Sequence, residues 1–96
     1  MYNKRRAYAE KREAQLNEWS AQLELLKAKA VVAKADLKIE YGDTINLLQH
    51  RAEEAKDGLQ ALRSAGDEAW GDLKGGMERM FSEGRTAYHQ ALSRFK

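Results

Sequence analysis

The sequence predicts an all-α fold: one long helix and a shorter second one, paired through helix–helix contacts as an antiparallel coiled-coil hairpin or drawn out as a continuous rod. Three observations carry this reading. First, an apolar stripe runs from Leu16 through Trp19, Leu23, Leu26, Ala30, Ala33 and Leu37, then through Tyr41, Ile45, Leu48, Ala52, Ala55, Leu59 and Leu62, always in steps of 3 or 4 residues. That spacing sets every member on one face of an α-helix. Second, no proline occurs anywhere in the 96 residues. Third, 33% of the residues are charged and much of the apolar fraction is alanine, the composition of long helices and coiled coils. Alanine adds little buried area per residue. Two Trp, two Phe and four Tyr, together with the sustained period, argue against disorder.

The first helix is expected over about residues 3–64, with Asn3 as its N-cap and Arg6 and Glu10 as an i,i+4 pair. At the usual rise per residue it would be roughly 90 Å long. Between Ala33 and Leu48 the steps become 4, 4, 4 and 3, a stutter that relaxes a left-handed supercoil. Gly42 lies inside the stutter and offers a bend, or a helix end with Asp43 capping the next. The stronger break is Ser64-Ala65-Gly66-Asp67. There Gly66 fits a left-handed C′ residue and Asp67 the following N-cap. A second helix over about 67–95 carries a wider stripe of Trp70, Leu73, Met77, Met80, Phe81, Tyr88, Leu92 and Phe95. Gly71, Gly75, Gly76 and Gly84 weaken its intrinsic helicity, so it needs a surface to fold against. In the hairpin, Leu59 and Leu62 face Ala69 and Leu73, and Ala52 and Ala55 face Met77 and Met80. The second helix would then end near Leu37. Leu16, Trp19, Leu23 and Leu26 would project as an apolar strip too costly to leave in water.

Three stretches carry a family resemblance. They are Lys11-Arg12-Glu13-Ala14-Gln15-Leu16-Asn17-Glu18-Trp19, Ala35-Asp36-Leu37-Lys38-Ile39-Glu40-Tyr41, and Ala65-Gly66-Asp67-Glu68-Ala69-Trp70-Gly71-Asp72-Leu73-Lys74. Together they resemble small bacterial coiled-coil domain-containing proteins of unassigned function. The resemblance spans about residues 11–80 and rests on both tryptophans combined with the Ile39-Glu40-Tyr41 step. It implies a helical, cytoplasmic protein and brings no catalytic residues with it. Members carry a helix former after the tyrosine, where this chain has Gly42.

The chemistry that the residues offer is sparse. His50 and His89 are the only imidazoles, and neither follows a Glu three residues earlier. The inward Glu and Glu-x-x-His repeats of a di-iron bundle are therefore missing. Two His without Cys do not suit zinc. Gly75-Gly76 lacks the lysine and hydroxyl of a phosphate loop, and the serines lack a nucleophile elbow. The expectation is a non-enzyme with no cofactor. No apolar run approaches the ~18–20 residues of a membrane span. The first residues have no apolar core after their basic ones, unlike a secretory signal. A cytoplasmic location follows, with a place at the periphery of the inner membrane as the alternative.

Net charge is +2, but residues 1–12 hold Lys4, Arg5, Arg6, Lys11 and Arg12 against Glu10 alone. Such an end offers contact to an anionic surface, and nucleic acid is the weaker version of that idea. The expected interaction residues are Leu16, Trp19, Leu23, Leu26, Ala30, Ala33 and Leu37 on the seam, with Trp70, Leu73, Met77, Met80 and Phe81 on the second helix. The function expected is a helical scaffold or accessory protein whose partner is itself or another protein. The alternative is a peripheral membrane protein that uses the stripe of 67–95. Lys74, Arg79, Arg85 and Arg94 flank that stripe, but Asp72, Glu78 and Glu83 dilute their charge.

Overall fold

A computed structural model of the chain describes residues 3–96. Three helices, α1 (Lys4–Val31), α2 (Ala35–Ser64) and α3 (Asp67–Arg94), lie side by side in an up-down-up bundle. The bundle measures 51 × 23 × 18 Å. The helical class is as the sequence predicts, and there is no strand among the described residues.

Asn3 caps α1 as expected: its Oδ1 accepts the Arg6 amide hydrogen at 2.8 Å, which satisfies one donor that the first turn leaves over. The expected helix over 3–64, however, is two helices. Val32, Ala33 and Lys34 form a tight turn between them. The turn contains no glycine, no proline and no residue at positive φ. Lys34 enters α2 with extended backbone, φ −65° and ψ 152°, and makes no side-chain cap. Its carbonyl accepts from Leu37 N at 2.9 Å and Lys38 N at 3.1 Å. Charges suit both helix ends. Lys29 lies in the last turn of α1 and Asp36 in the first turn of α2, each favourable against the helix dipole.

The reason for the turn lies in what it buries. Folding α1 back places Trp19, Leu23 and Leu26 at 3%, 7% and 0% exposure. Each large apolar side chain taken from water contributes about 1.5–3 kcal/mol. A three-residue interruption forfeits a few backbone hydrogen bonds, each worth about 0.5–1.5 kcal/mol net, so the burial wins. The apolar strip expected to project is therefore covered by the chain itself.

The second corner falls where the sequence places it, but by a different geometry. Ala65 (φ −76°, ψ 143°) and Gly66 (φ −78°, ψ 177°) are both extended. Gly66 is thus the N-cap of α3 and not a left-handed C′ residue, and Asp67 is the first helical residue and not the cap. Gly42 leaves α2 unbroken. Its neighbour Tyr41 is buried with its ring 4.1 Å from that of Phe95, and this contact holds the helix through the weak residue. Against α3, the small residue beneath the Met77 and Met80 sulfurs is Gly58, one turn beyond Ala55.

The core is a single cluster along the bundle axis, with Leu26, Leu48, Ala55, Leu62, Met77 and Phe81 at 1% exposure or less. At its centre the Trp19 ring lies 5.1 Å from Phe81 and 4.9 Å from Tyr88, stacked on the latter. Gly84 sits directly beneath the ring: a Cβ there would collide with the Trp19 Cη2 carbon. Gly75, also on α3, has nothing within 4 Å of its would-be Cβ. Replacing a helical glycine by alanine ordinarily stabilises by about 1 kcal/mol, so these two glycines are expected to respond in opposite senses. Gly75→Ala should raise stability by up to ~1 kcal/mol. Gly84→Ala should lower it by about 1–3 kcal/mol through overpacking. Urea unfolding followed by circular dichroism measures both; a stabilised Gly84→Ala variant would disprove the close approach.

Candidate interaction surfaces

The residues expected to meet a partner divide into three groups. Trp19, Leu23, Leu26, Met77 and Phe81 are buried in the core of the chain itself. Leu16, Ala30, Ala33, Trp70, Leu73 and Met80 are half-buried against that core or at its edge. Leu37 alone is exposed, at 41%. The seam is therefore built as expected but occupied from within. The same holds for the wide stripe of α3, whose Met77, Phe81 and Tyr88 face inward and are not free to enter a membrane or a groove.

Two residues of the basic end, Arg5 and Arg12, are engaged with α3. Arg5 Nη1 lies 2.8 Å from Asp67 Oδ1, and its guanidinium sits 5.2 Å above the Trp70 ring, tying α1 to the start of α3. Arg6 Nε is 3.5 Å from Glu10 Oε1. Arg12 is buried: its guanidinium lies 4.9 Å from the Tyr8 ring centre and 4.8 Å from that of Phe81. Its Nη1 donates to Gln15 Oε1 at 2.6 Å, and its Nη2 is 3.9 Å from Glu78. Aromatic faces accept a cation favourably, so Arg12 is part of the packing between α1 and α3. Lys4 and Lys11 remain exposed.

Further polar contacts fix the register of the bundle. Tyr88 Oη donates to the Leu48 carbonyl at 3.0 Å. Arg63 Nη2 reaches Glu13 Oε2 at 2.6 Å, Arg94 reaches Glu40 at 3.2 Å, and Lys29 Nζ donates to the Phe95 carbonyl at 2.8 Å. His50 Nε2 lies 2.6 Å from Glu54 on the exposed side of α2. Among the described residues no three His, Asp or Glu side chains gather as a metal-binding set, and no helix is long and apolar enough to cross a membrane.

A different surface stands out. Val31, Val32 and Ile39 are 74%, 84% and 72% exposed; with Leu37 they place four large apolar side chains within nine residues around the α1–α2 turn. The neighbouring Lys34 and Lys38 are exposed, as are Asp36 and Glu40. Sequence reading passes over the first three because they lie off the stripe. The adjacent Val31-Val32 pair, which no single helix face accommodates, is the signal that could have marked them.

Comparison with protein-family models, with curated proteins and with solved structures finds no match.

Trp19→Ala is expected to cost the bundle about 3–5 kcal/mol at any protein concentration, because the ring is buried within one chain. Trp70→Ala, at a half-buried site, should cost clearly less. Chemical denaturation of the two variants at high and low concentration separates them. Tyr88 supplies a pH signature. Burial pushes its hydroxyl from 10.0 up to about 12, so the folded chain holds that proton where the unfolded chain has released it. The corresponding stability is complete below pH 10 and is lost as pH rises from 10 to about 12. Tyr88→Phe should flatten this part of the stability–pH profile; an unchanged slope would show that the phenol is not buried.

Proposed function

We propose that this chain is a non-catalytic helical scaffold or accessory protein that acts through protein–protein contacts, made at the α1–α2 end of the bundle. The observation that supports the reading is the concentration of exposed apolar surface at that end. Val31, Val32, Leu37 and Ile39 stand in water, while the stripe that would otherwise have sought a partner is buried. Leu25 and Leu47 are also exposed, farther along α1 and α2, but the three most exposed large side chains, Val31, Val32 and Ile39, lie together at the turn, and such a patch favours a contact site. The mixed charges around it, Lys34 and Lys38 beside Asp36 and Glu40, suit the rim of a protein interface better than an anionic bilayer.

Peripheral membrane binding is the alternative. It loses the support of the α3 stripe and of Arg5 and Arg12, which are engaged with α3.

Val32→Ser with Ile39→Ser tests the reading. Both side chains are exposed, so the thermal midpoint should stay within a few degrees of the unaltered chain. Affinity purification from cell extract with each form should then show a partner enriched by the unaltered chain and lost by the variant. Equal enrichment by both would move the contact elsewhere. Flotation with anionic vesicles at physiological salt, lost in the variant, would promote the membrane reading.

A further inference from the structure

The apolar seam does not stop at the α1–α2 turn. From Leu26 through Ala30, Ala33, Leu37 and Tyr41 the steps remain 4, 3, 4 and 4, straight across Val32, Ala33 and Lys34. The other corner holds Gly66, but this one contains only residues compatible with a helix and no side-chain cap. The local sequence therefore encodes a continuous helix there, and only the packing of α1 onto α2 and α3 interrupts it. Any identical pair of α2 and α3 surfaces would receive α1 equally well, and a second copy of the chain carries them.

We propose that two copies of this chain exchange α1. The turn at 32–34 straightens, residues 4–64 run as one helix, and α1 of each chain packs on α2 and α3 of the other. This rests on the protein-contact reading above and names the partner as a second copy.

Every contact between α1 and the other helices is preserved in the exchange. Trp19 still stacks on Phe81 and Tyr88, Arg5 still meets Asp67, and Glu13 still meets Arg63, each now between chains. Exchange of an identical element is for this reason a low-cost route to a dimer. What differs is confined to the hinge, and there two terms favour the dimer. Residues 32–34 regain regular helical hydrogen bonds in place of a turn in which Ala33 N bonds only to Ala30 O, at 3.3 Å. With Glu13 still facing Arg63, the two-fold axis passes close to residue 38, so the seam on either side of it meets the same stretch of the partner chain. Leu37 lies on that seam; the single bundle leaves it exposed and the dimer covers it. Against these terms stands the entropy of association, so the balance depends on concentration.

Two variants of the full chain test this. The chain has no cysteine, so Glu13→Cys with Arg63→Cys introduces the only thiols, at positions facing each other across α1 and α2. After unfolding and refolding at increasing concentration, a short bis-maleimide reagent joins them and a denaturing gel reads the product. The single bundle gives an intrachain link; the exchanged dimer gives a linked pair of chains. In a continuous helix the two positions of one chain lie roughly 75 Å apart, beyond the reagent.

The second variant adds Ala35→Pro. Proline is tolerated in the first turn of a helix and favours extended backbone just before it. Lys34, at φ −65° and ψ 152°, already has that conformation. Inside a continuous helix the same proline removes a hydrogen bond and clashes with the preceding turn.

The expected result is a linked dimer that rises with refolding concentration in the unaltered background. With Ala35→Pro the dimer should fall by about a hundredfold or more, while the thermal midpoint is kept or raised. A chain that stays monomeric at every concentration overturns the exchange. So does a dimer whose links are intrachain, or one that Ala35→Pro leaves undiminished. The last two results describe a dimer of intact bundles and leave the protein-contact reading standing. That reading falls separately, if Val32→Ser with Ile39→Ser changes no association at all.

Discussion

The Trp19 ring must lie flat over Gly84, between Phe81 and Tyr88, and the rest of the bundle is arranged around that requirement. In this arrangement the indole comes so close to α3 that the opposing backbone has no room for a Cβ, and α3 supplies that gap at Gly84. Trp19 lies 65 positions before Gly84 in the chain. Within one chain the contact therefore forms only if α1 doubles back over α2 and α3 doubles back again. Both turns, and the parallel course of α1 and α3, follow from it. The glycine that looks like a weakness in a helix is what allows the tightest approach in the fold.

Around that centre the polar groups choose the register. Apolar side chains on helices of this composition would pack almost as well one turn up or down. Specific contacts between helices remove the degeneracy: Tyr88 Oη to the Leu48 carbonyl within the core, and the Arg12 guanidinium of α1 over the Phe81 ring of α3. Surface ion pairs such as Arg63 with Glu13 add little energy singly. They are made only in the observed register. A basic N-terminal stretch that reads as a surface for anions is thereby drawn into the architecture.

The consequence for function is a change of location more than of kind. The helical seam, the natural contact surface in a long rod, is occupied by the chain itself. What remains for others is the end of the bundle where α1 passes into α2, with its exposed valines and isoleucine. That end is also where the backbone departs from what its sequence prefers. In the proposed reading, contact surface and hinge coincide in one short segment, and binding at the tip is then physically linked to rearrangement of the turn.

Much of this was legible in the residues. The helical class, the Asn3 cap, the corner at Ala65-Gly66 and the near-complete extent of α3 follow from periodicity and local backbone preference, which act over a few neighbouring residues. Much of the core was legible too, because every stripe residue from Trp19 to Leu62 except Leu37 is buried or half-buried. Three features were not legible: the turn at 32–34, the role of Gly84 and the burial of Arg12. The turn contradicts a continuous helical period and has no breaker to announce it. Gly84 acquires its role from Trp19, and Arg12 its burial from Phe81, each more than sixty positions away. The sequence by itself determined which faces are apolar and which segments are helical. Only the tertiary structure decided what covers those faces, because burial is collective: it rewards whichever chain path removes most apolar surface from water, even through residues that would locally remain helix.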